Sequence, residues 1–237
     1  MKKTHAISIC LMIIIYSLLS IVVNKTFILP GILEIAFSLK EIVFNVKFLS
    51  IVFTSLFRVF IGLLTSFILA LLLSLLSYFN KTIKEFFEPV YLLLKTIPNV
   101  TYIIVSLLWL GRNGSVLLVS ALVVFPILYN SILNALFNID KELIEITDTY
   151  NGSNIYKIRK IYLPLIRNDI LLSLKNSCSL GFKVAIMAEI LSQVKTGIGR
   201  ELHFARINYL MADIFAWTII IIVISYLIDY LLNKLIS

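Results

Sequence analysis

Apolar positions along the chain gather into six long runs separated by short polar stretches. The runs cover approximately 7–23, 56–77, 86–110, 116–137, 170–191 and 214–232. A helix of about 20 apolar residues crosses the hydrocarbon core of a bilayer, so each run is read as a spanning helix. Arg58 alone interrupts the second run, close to its start. Pro98 breaks the third, Pro126 predicts a kink in the fourth, and Gly111-Arg112-Asn113-Gly114 reads as a tight turn between those two. The first run follows Met1-Lys2-Lys3 and so resembles a signal peptide. It closes as VVNKTFILP without a small-x-small cleavage site, which predicts a retained helix that also directs insertion.

The segment 24–55 behaves differently, mixing Lys25, Glu34, Lys40, Glu41 and Lys47 with apolar residues. Ile32, Ile35, Ala36, Leu39, Ile42 and Val43 recur at helical spacing, which predicts an amphipathic helix lying at the membrane surface. A polar loop is expected over 192–212. The resulting fold class is all-α: one polytopic membrane domain over 1–237 with about six transmembrane helices.

Composition supports the membrane assignment. Apolar residues make up 60% of the chain and charged residues 14%, with a mean hydropathy of +1.00. Soluble domains average about 45–50% and about 25% respectively. The net charge of +8 does not point to nucleic acid, because the basic residues sit in connectors between apolar runs, where they set topology and meet lipid headgroups. An even number of spans puts both termini on one side. The 138–169 connector contributes Lys141, Lys157, Arg159, Lys160 and Arg167 to that side, and the N-terminus adds Lys2 and Lys3. Positive residues close to spans favour the cytoplasm, so both termini are expected there.

Little enzymatic chemistry is available. Cys10 and Cys178 lie in apolar runs without a CxxC partner, and His5 and His203 are the only histidines, so no metal site or catalytic triad is indicated. Thr196-Gly197-Ile198-Gly199-Arg200 lacks the spacing of a phosphate loop, and Lys195-Thr196-Gly197 stands without the other motifs of a β-lactamase. No cofactor is expected in this chain.

Lys95, Lys183 and Glu189 are ionisable groups within or beside spans. Such groups cost about 2.5–3.5 kcal/mol at a helix centre and usually face protein or water. They are candidates for a translocation pathway or for polar contacts between helices. Lys95 lies seven residues after Glu88 on one helical face, which predicts pairing or snorkelling. Lys183 and Glu189 are about 240° apart around a helix and do not face one another. Asn130, Asn134, Ser173, Ser177 and Ser179 read as polar glue between spans four and five.

The longest polar stretch is IDKELIEITDTYNGSNIYKIRKIYLP, residues 139–164. Asp140 can cap a short helix whose Leu143, Ile146 and Tyr150 form an apolar stripe. Asn151-Gly152 tolerates the left-handed conformation needed to turn. Ser153 can cap a second helix over 154–161 with a stripe of Ile155, Ile158 and Ile161, ended by Leu163-Pro164. The unit reads as two short amphipathic helices at the cytoplasmic face.

This stretch resembles the EAA motif of ABC importer permeases. Glu145 fits the acidic position, and Ile161, Leu163 and Pro164 fit the closing I-x-L-P. Ile146 and Thr147 replace the alanines, and Asn151 occupies the glycine position with Gly152 one later. Ile28-Leu29-Pro30, Ser55-Leu56-Phe57-Arg58-Val59, Lys95-Thr96-Ile97-Pro98, Trp109-Leu110-Gly111 and Ala188-Glu189-Ile190 occur in the order of the nitrate/sulfonate/taurine-type permeases. The resemblance implies the permease subunit of an importer in a bacterial inner membrane, paired with a second permease copy. It also implies ABC ATPase subunits docking on a coupling segment that includes Glu145, Tyr150, Asn151, Gly152, Ser153, Ile161, Leu163 and Pro164. An extracytoplasmic solute-binding protein would deliver the cargo. A different class stays open: a secondary transporter or channel that uses Lys95, Lys183 and Glu189 without an ATPase.

Overall fold

A computed structural model describes residues 2–140, 142–143 and 154–236, and among these every regular element is helical. The first helix, α1 (Lys2–Val23), is followed by a turn at Asn24, whose φ is 45°. The Tyr16 and Ser20 hydroxyls donate to the Pro30 and Leu29 carbonyls at 2.8 and 3.3 Å, folding the connector back along α1. Helix α2 (Ile32–Val43) matches the amphipathic segment. The Gly31 amide donates to the Glu34 carboxylate at 3.1 Å, satisfying one of the amides that a helix start leaves open.

Helix α3 (Phe48–Phe79) starts earlier than the apolar run that predicts it. It buries Ser55, Arg58, Val59, Gly62, Ser66, Ala70, Ser74 and Ser77, while Phe57, Phe60, Leu64, Ile68, Leu69, Leu72 and Leu76 are exposed. A water-soluble helix would do the opposite. In a bilayer the lipid tails solvate large apolar side chains, and small residues are what allow helices to approach closely. At Gly62 the approach is at its limit, since an added Cβ would lie 2.6 Å from Ser120 Cβ. Beside it the Ser66 hydroxyl donates to the Ala121 carbonyl at 2.5 Å.

The run over 86–110 is divided by Pro98. Asn80 accepts from the amides of Thr82 and Ile83 to cap α4 (Lys81–Thr96), and Ile97 takes the extended conformation favoured before proline. Helix α5 (Asn99–Phe137) then runs 39 residues, about 58 Å if straight, nearly twice a bilayer core. Gly111 breaks it with φ 67° and ψ −171°, a conformation open to glycine. The tight turn expected over 111–114 is thus compressed into one residue, with Arg112 to Gly114 already helical. Because α3 ends where α4 begins, and Asn113 lies beside Arg58 near the start of α3, α4 and residues 99–110 together return the chain across the bundle.

Beyond the connector, α6 (Asn154–Lys157), a π-helical turn (Ile158–Tyr162) and α7 (Leu163–Leu165) run end to end. Helix α8 (Arg167–Leu191) crosses the bundle, α9 (Ile198–Ile207) occupies what the pattern predicts as loop, and α10 (Met211–Ile236) closes the chain. Four of these helices are long and apolar enough to cross a membrane alone: Phe48–Phe79, Asn99–Phe137, Arg167–Leu191 and Met211–Lys234. Cys10–Val23 is a shorter apolar helix. The core lies where α3, α5 and α8 meet, around Val116, Val119, Val124, Leu128, Ile132, Leu136 and Phe182.

Replacing Gly62 by Val is expected to force α3 from α5 and cost about 1–3 kcal/mol through overpacking. Thermal unfolding in detergent measures it, with exposed Leu64→Val as the neutral control. A Gly62→Val protein that unfolds with the wild type would refute the close crossing.

Candidate functional site

Three groups of residues could carry function, and they lie at the two ends of the bundle and on its open side. At the end where α3 and α5 finish, Tyr162 is buried between Tyr78 and Phe79, with ring centroids 5.6 and 5.4 Å away, and Tyr78 also meets Phe137 at 5.3 Å. The connector into α8 is thereby fixed to the end of α3, which Tyr78 in turn joins to the end of α5. Pro164 lacks the amide that would bond the Lys160 carbonyl, so the preceding turn widens and the Leu163 amide reaches Ile158 instead. This π turn replaces the second half of the α-helix expected over 154–161. Ile158 packs inward, Ile161 and Leu163 are half-buried, and Pro164 is exposed, whereas Ile155 and Tyr156 are 77% and 56% exposed. Glu145, Tyr150, Asn151, Gly152 and Ser153 lie outside the described residues.

The open side carries polar residues where a membrane helix would be expected to show apolar ones. A cavity of about 480 Å³ is lined by Tyr91, Leu94, Lys95, Asn99, Pro126, Asn130 and Ser131, among others. A second, of about 260 Å³, shares Asn130 and Ser131 and continues along Asn134, Asn138, Asp169, Ser173 and Asn176. The Lys95 ammonium sits over the Tyr91 ring, 5.9 Å from its centre, and no Lys95–Glu88 ion pair forms among the described residues. Lys183 is exposed on α8, one heptad beyond Asn176. Asn130 and Asn134 face these cavities, so they are not buried between spans four and five as the sequence pattern suggests. Ser177 is buried among those helices, and Ser173 donates to the Ile170 carbonyl.

At the opposite end Glu189 is 1% exposed and forms a buried ion pair with Arg58, at 2.5 Å. The Ser55 hydroxyl donates to the same carboxylate at 2.7 Å and the Gly199 amide at 2.9 Å. Arg58 also donates to the Thr196 carbonyl at 2.7 Å and to Asn113 Oδ1 at 2.9 Å, and the Ile198 amide donates to Ser55 Oγ at 2.8 Å. Ser115 and Ser192 hydroxyls meet at 2.7 Å nearby. A Cβ on Gly197 would lie 2.7 Å from Glu189 Oε1, and one on Gly199 would clash with Glu189 Cβ. The two glycines therefore let the 192–199 segment close over the carboxylate. Sequence reasoning singles out Glu189 but misses Arg58 as its partner; the signal is one arginine and one glutamate, each within a few residues of a span's end.

Residues 62–236 match the family described as binding-protein-dependent transport system inner membrane component. SsuC of Bacillus subtilis, named for aliphatic sulfonates transport, is 26% identical over 210 residues, covering 88% of this chain and 75% of SsuC. A Methanocaldococcus jannaschii protein named as an ABC transporter permease is 25% identical over 225 residues, covering 92% and 84%. In fold, the chain is similar to a chain of the MetNI methionine ABC transporter in inward-facing conformations. The TM-score is 0.68 at 15% identity, over 77% of this chain and 91% of that one.

Removing one partner of a buried pair leaves the other charge uncompensated, at a cost of about 3–5 kcal/mol. Glu189→Ala is expected to show that loss in thermal unfolding, and Arg58→Met combined with Glu189→Leu to recover most of it. Additive losses in the double variant would show that the two side chains do not act as a pair.

Proposed function

The chain belongs to the binding-protein-dependent transport system inner membrane components, and from that premise we propose that it is the permease subunit of an ATP-driven importer whose ATPase subunits dock on residues 140–164. The observation that carries the docking assignment is the anchored segment: Tyr162 is wedged against Tyr78 and Phe79 at the end of α3 while Ile155 and Tyr156 project outward. An exposed apolar pair on an anchored turn suits a protein groove, and a push on it is delivered to α3 and, through the Tyr78–Phe137 contact, to α5. ATP-driven closure would move them as rigid elements between two arrangements.

The end carrying this segment also carries Lys81, Lys84, Lys157, Arg159, Lys160 and Arg167. The positive-inside rule supports a cytoplasmic position for it and for both termini, in an inner membrane. The ion-paired end then faces an extracytoplasmic binding protein. A second copy of this chain facing the polar side would cover Asn130, Asn134 and Asn176, which have no favourable place in lipid. The ATPase-independent reading needs Glu189 on an ion route with Lys95 and Lys183, and the engagement of Glu189 by Arg58, Ser55 and Gly199 counts against it.

Burying an Ile side chain contributes about 1.5–3 kcal/mol, or roughly 10–100-fold in affinity. Ile155→Asp is therefore expected to abolish co-purification of the ATPase subunit and ATP-dependent uptake, without lowering the unfolding temperature of the permease. Co-purification undiminished by Ile155→Asp would place the docking surface elsewhere.

A further inference from the structure

We propose that Tyr102 positions the wall of the cavity beside Lys95, and that residues 99–110 form a helical panel, hinged at Pro98 and Gly111, which swings when that hold is released. The proposal rests on the permease reading and adds to it a moving element and the side chain that holds it.

Pro98 and Gly111 divide the return path into separate pieces. Ile97 and Pro98 are both extended, with ψ of 130° and 137°, so α4 stops before the panel begins. Backbone bonds stay on their own side of this break. The Ile97 amide donates to the Leu93 carbonyl at 3.1 Å, and the Thr101 amide donates to the Pro98 carbonyl at 3.0 Å. Among the described residues the Tyr102 hydroxyl is the group that bonds across, donating to the Leu94 carbonyl at 3.1 Å and lying 3.4 Å from that of Leu93. Leu94 and Lys95 line the cavity from one side of the break, and Asn99 lines it from the other. The angle between α4 and the panel, and with it the width of the cavity, is therefore set at that hydroxyl.

Elsewhere the panel is lightly held. Ile103 and Ser106 are buried against the core, but the Ser106 hydroxyl donates to the Ile103 carbonyl within the same helix. Ile104, Leu108 and Trp109 are exposed on the outer face. Past Gly111 the same chain is fixed: Asn113 accepts from Arg58 at 2.9 Å, and the Ser115 and Ser192 hydroxyls meet at 2.7 Å. The fixed and the loosely held stretches are joined through Gly111, at φ 67°, where an added Cβ would meet nothing within 4 Å. A glycine with free space around it turns at little cost and serves as a hinge. The proline break, with no backbone bond across it, is the matching hinge at the other end. Apolar packing tolerates a roll of the panel, whereas a directional hydroxyl bond does not, so Tyr102 decides which position is held.

The test measures the angle itself, so no solute need be known in advance. In the full transporter with its ATPase and binding protein, Cys10 and Cys178 are replaced by Ser. Spin labels are placed at Phe86→Cys on α4 and Leu108→Cys on the panel, both exposed positions. Label-to-label distances are read by double electron–electron resonance, without nucleotide and after trapping with ATP and vanadate. The labelled parent is expected to change its distance distribution on trapping. Removing one hydrogen bond shifts a two-state ratio by roughly 2–10-fold, so Tyr102→Phe should move the nucleotide-free sample toward the trapped distribution by that factor. Tyr91→Phe takes a hydroxyl from the same cavity but not from the break, and should leave the distances in place. Leu92→Cys serves as the α4 label if Phe86→Cys does not assemble. Distances that Tyr102→Phe leaves unmoved would overturn the proposal even where its unfolding temperature falls, since a purely structural tyrosine would show that alone. A parent whose distances stay the same on trapping while it hydrolyses ATP would also overturn it. Failure of the permease reading is recorded separately, as absence of the ATPase from the purified assembly. Tyr102 is then judged on whether its Phe variant displaces or broadens the nucleotide-free distances.

Discussion

The Arg58–Glu189 ion pair holds the rest of the molecule in register. It lies near the start of α3 and the end of α8, and through Asn113 and Thr196 it also holds the beginning of the long second stretch of α5 and the 192–199 segment. Charge-assisted hydrogen bonds are directional, so this end of the bundle has one arrangement that satisfies every group, and sliding any helix would leave a buried charge unpaired. The other end is held by Tyr78, Phe79, Phe137 and Tyr162, in tilted and edge-to-face ring contacts. Aromatic packing of that kind tolerates rolling and small shifts. A clamp at one end and a compliant contact at the other give the bundle a fulcrum and a lever, with the lever at the segment proposed to receive the ATPase.

Between the two ends the helices are joined by close approach. The buried serines, Gly62 and Ala70 of α3 are too small to supply much dispersion energy alone, but they let backbones and the side chains of α5 come into contact. This use of small residues inside has a consequence for the surface. Since lipid takes the large apolar side chains, any exposed face rich in amides must be shielded by protein or wetted. The strip from Lys95 through Asn130 and Asn134 to Asn176 is such a face.

Much of this was legible from sequence because the membrane simplifies it. Apolar runs, Pro98, and the amphipathic spacing of 32–43 each had one sensible reading, and α2, α8 and α10 fall on the segments that pattern indicates. What the pattern could not show depends on three-dimensional partners. Helix α9 looks polar and short, and its place depends on Gly197 and Gly199 closing onto Glu189. The π turn depends on Pro164 acting four residues upstream, where a one-dimensional stripe of isoleucines still reads as plain α-helix. Asn130 and Asn134 are chemically identical whether they bind a neighbouring helix or face a cavity, and only the packing of α4 and α5 around Pro126 decides between them. The resemblance to importer permeases rested on motif order, which survives such ambiguities because it needs no side-chain orientation.

The two breaks in the return path, at Pro98 and Gly111, share a physical constraint that explains where function can sit. A break inside a bilayer exposes amides and carbonyls, at a cost of several kcal/mol each unless protein or water satisfies them. At Gly111 the neighbouring groups lie beside the Arg58 network at the bundle's end, where polar partners are plentiful. At Pro98 the Thr96 and Tyr102 hydroxyls reach the Leu92 and Leu94 carbonyls and the Thr101 amide donates to the Pro98 carbonyl, beside a cavity lined by Lys95 and Asn99. Pro98 supplies no side-chain cap to α5, where Ser or Asp would. A break at that depth is tolerable where local bonds and a polar cavity meet the groups it frees, which is the setting at Pro98.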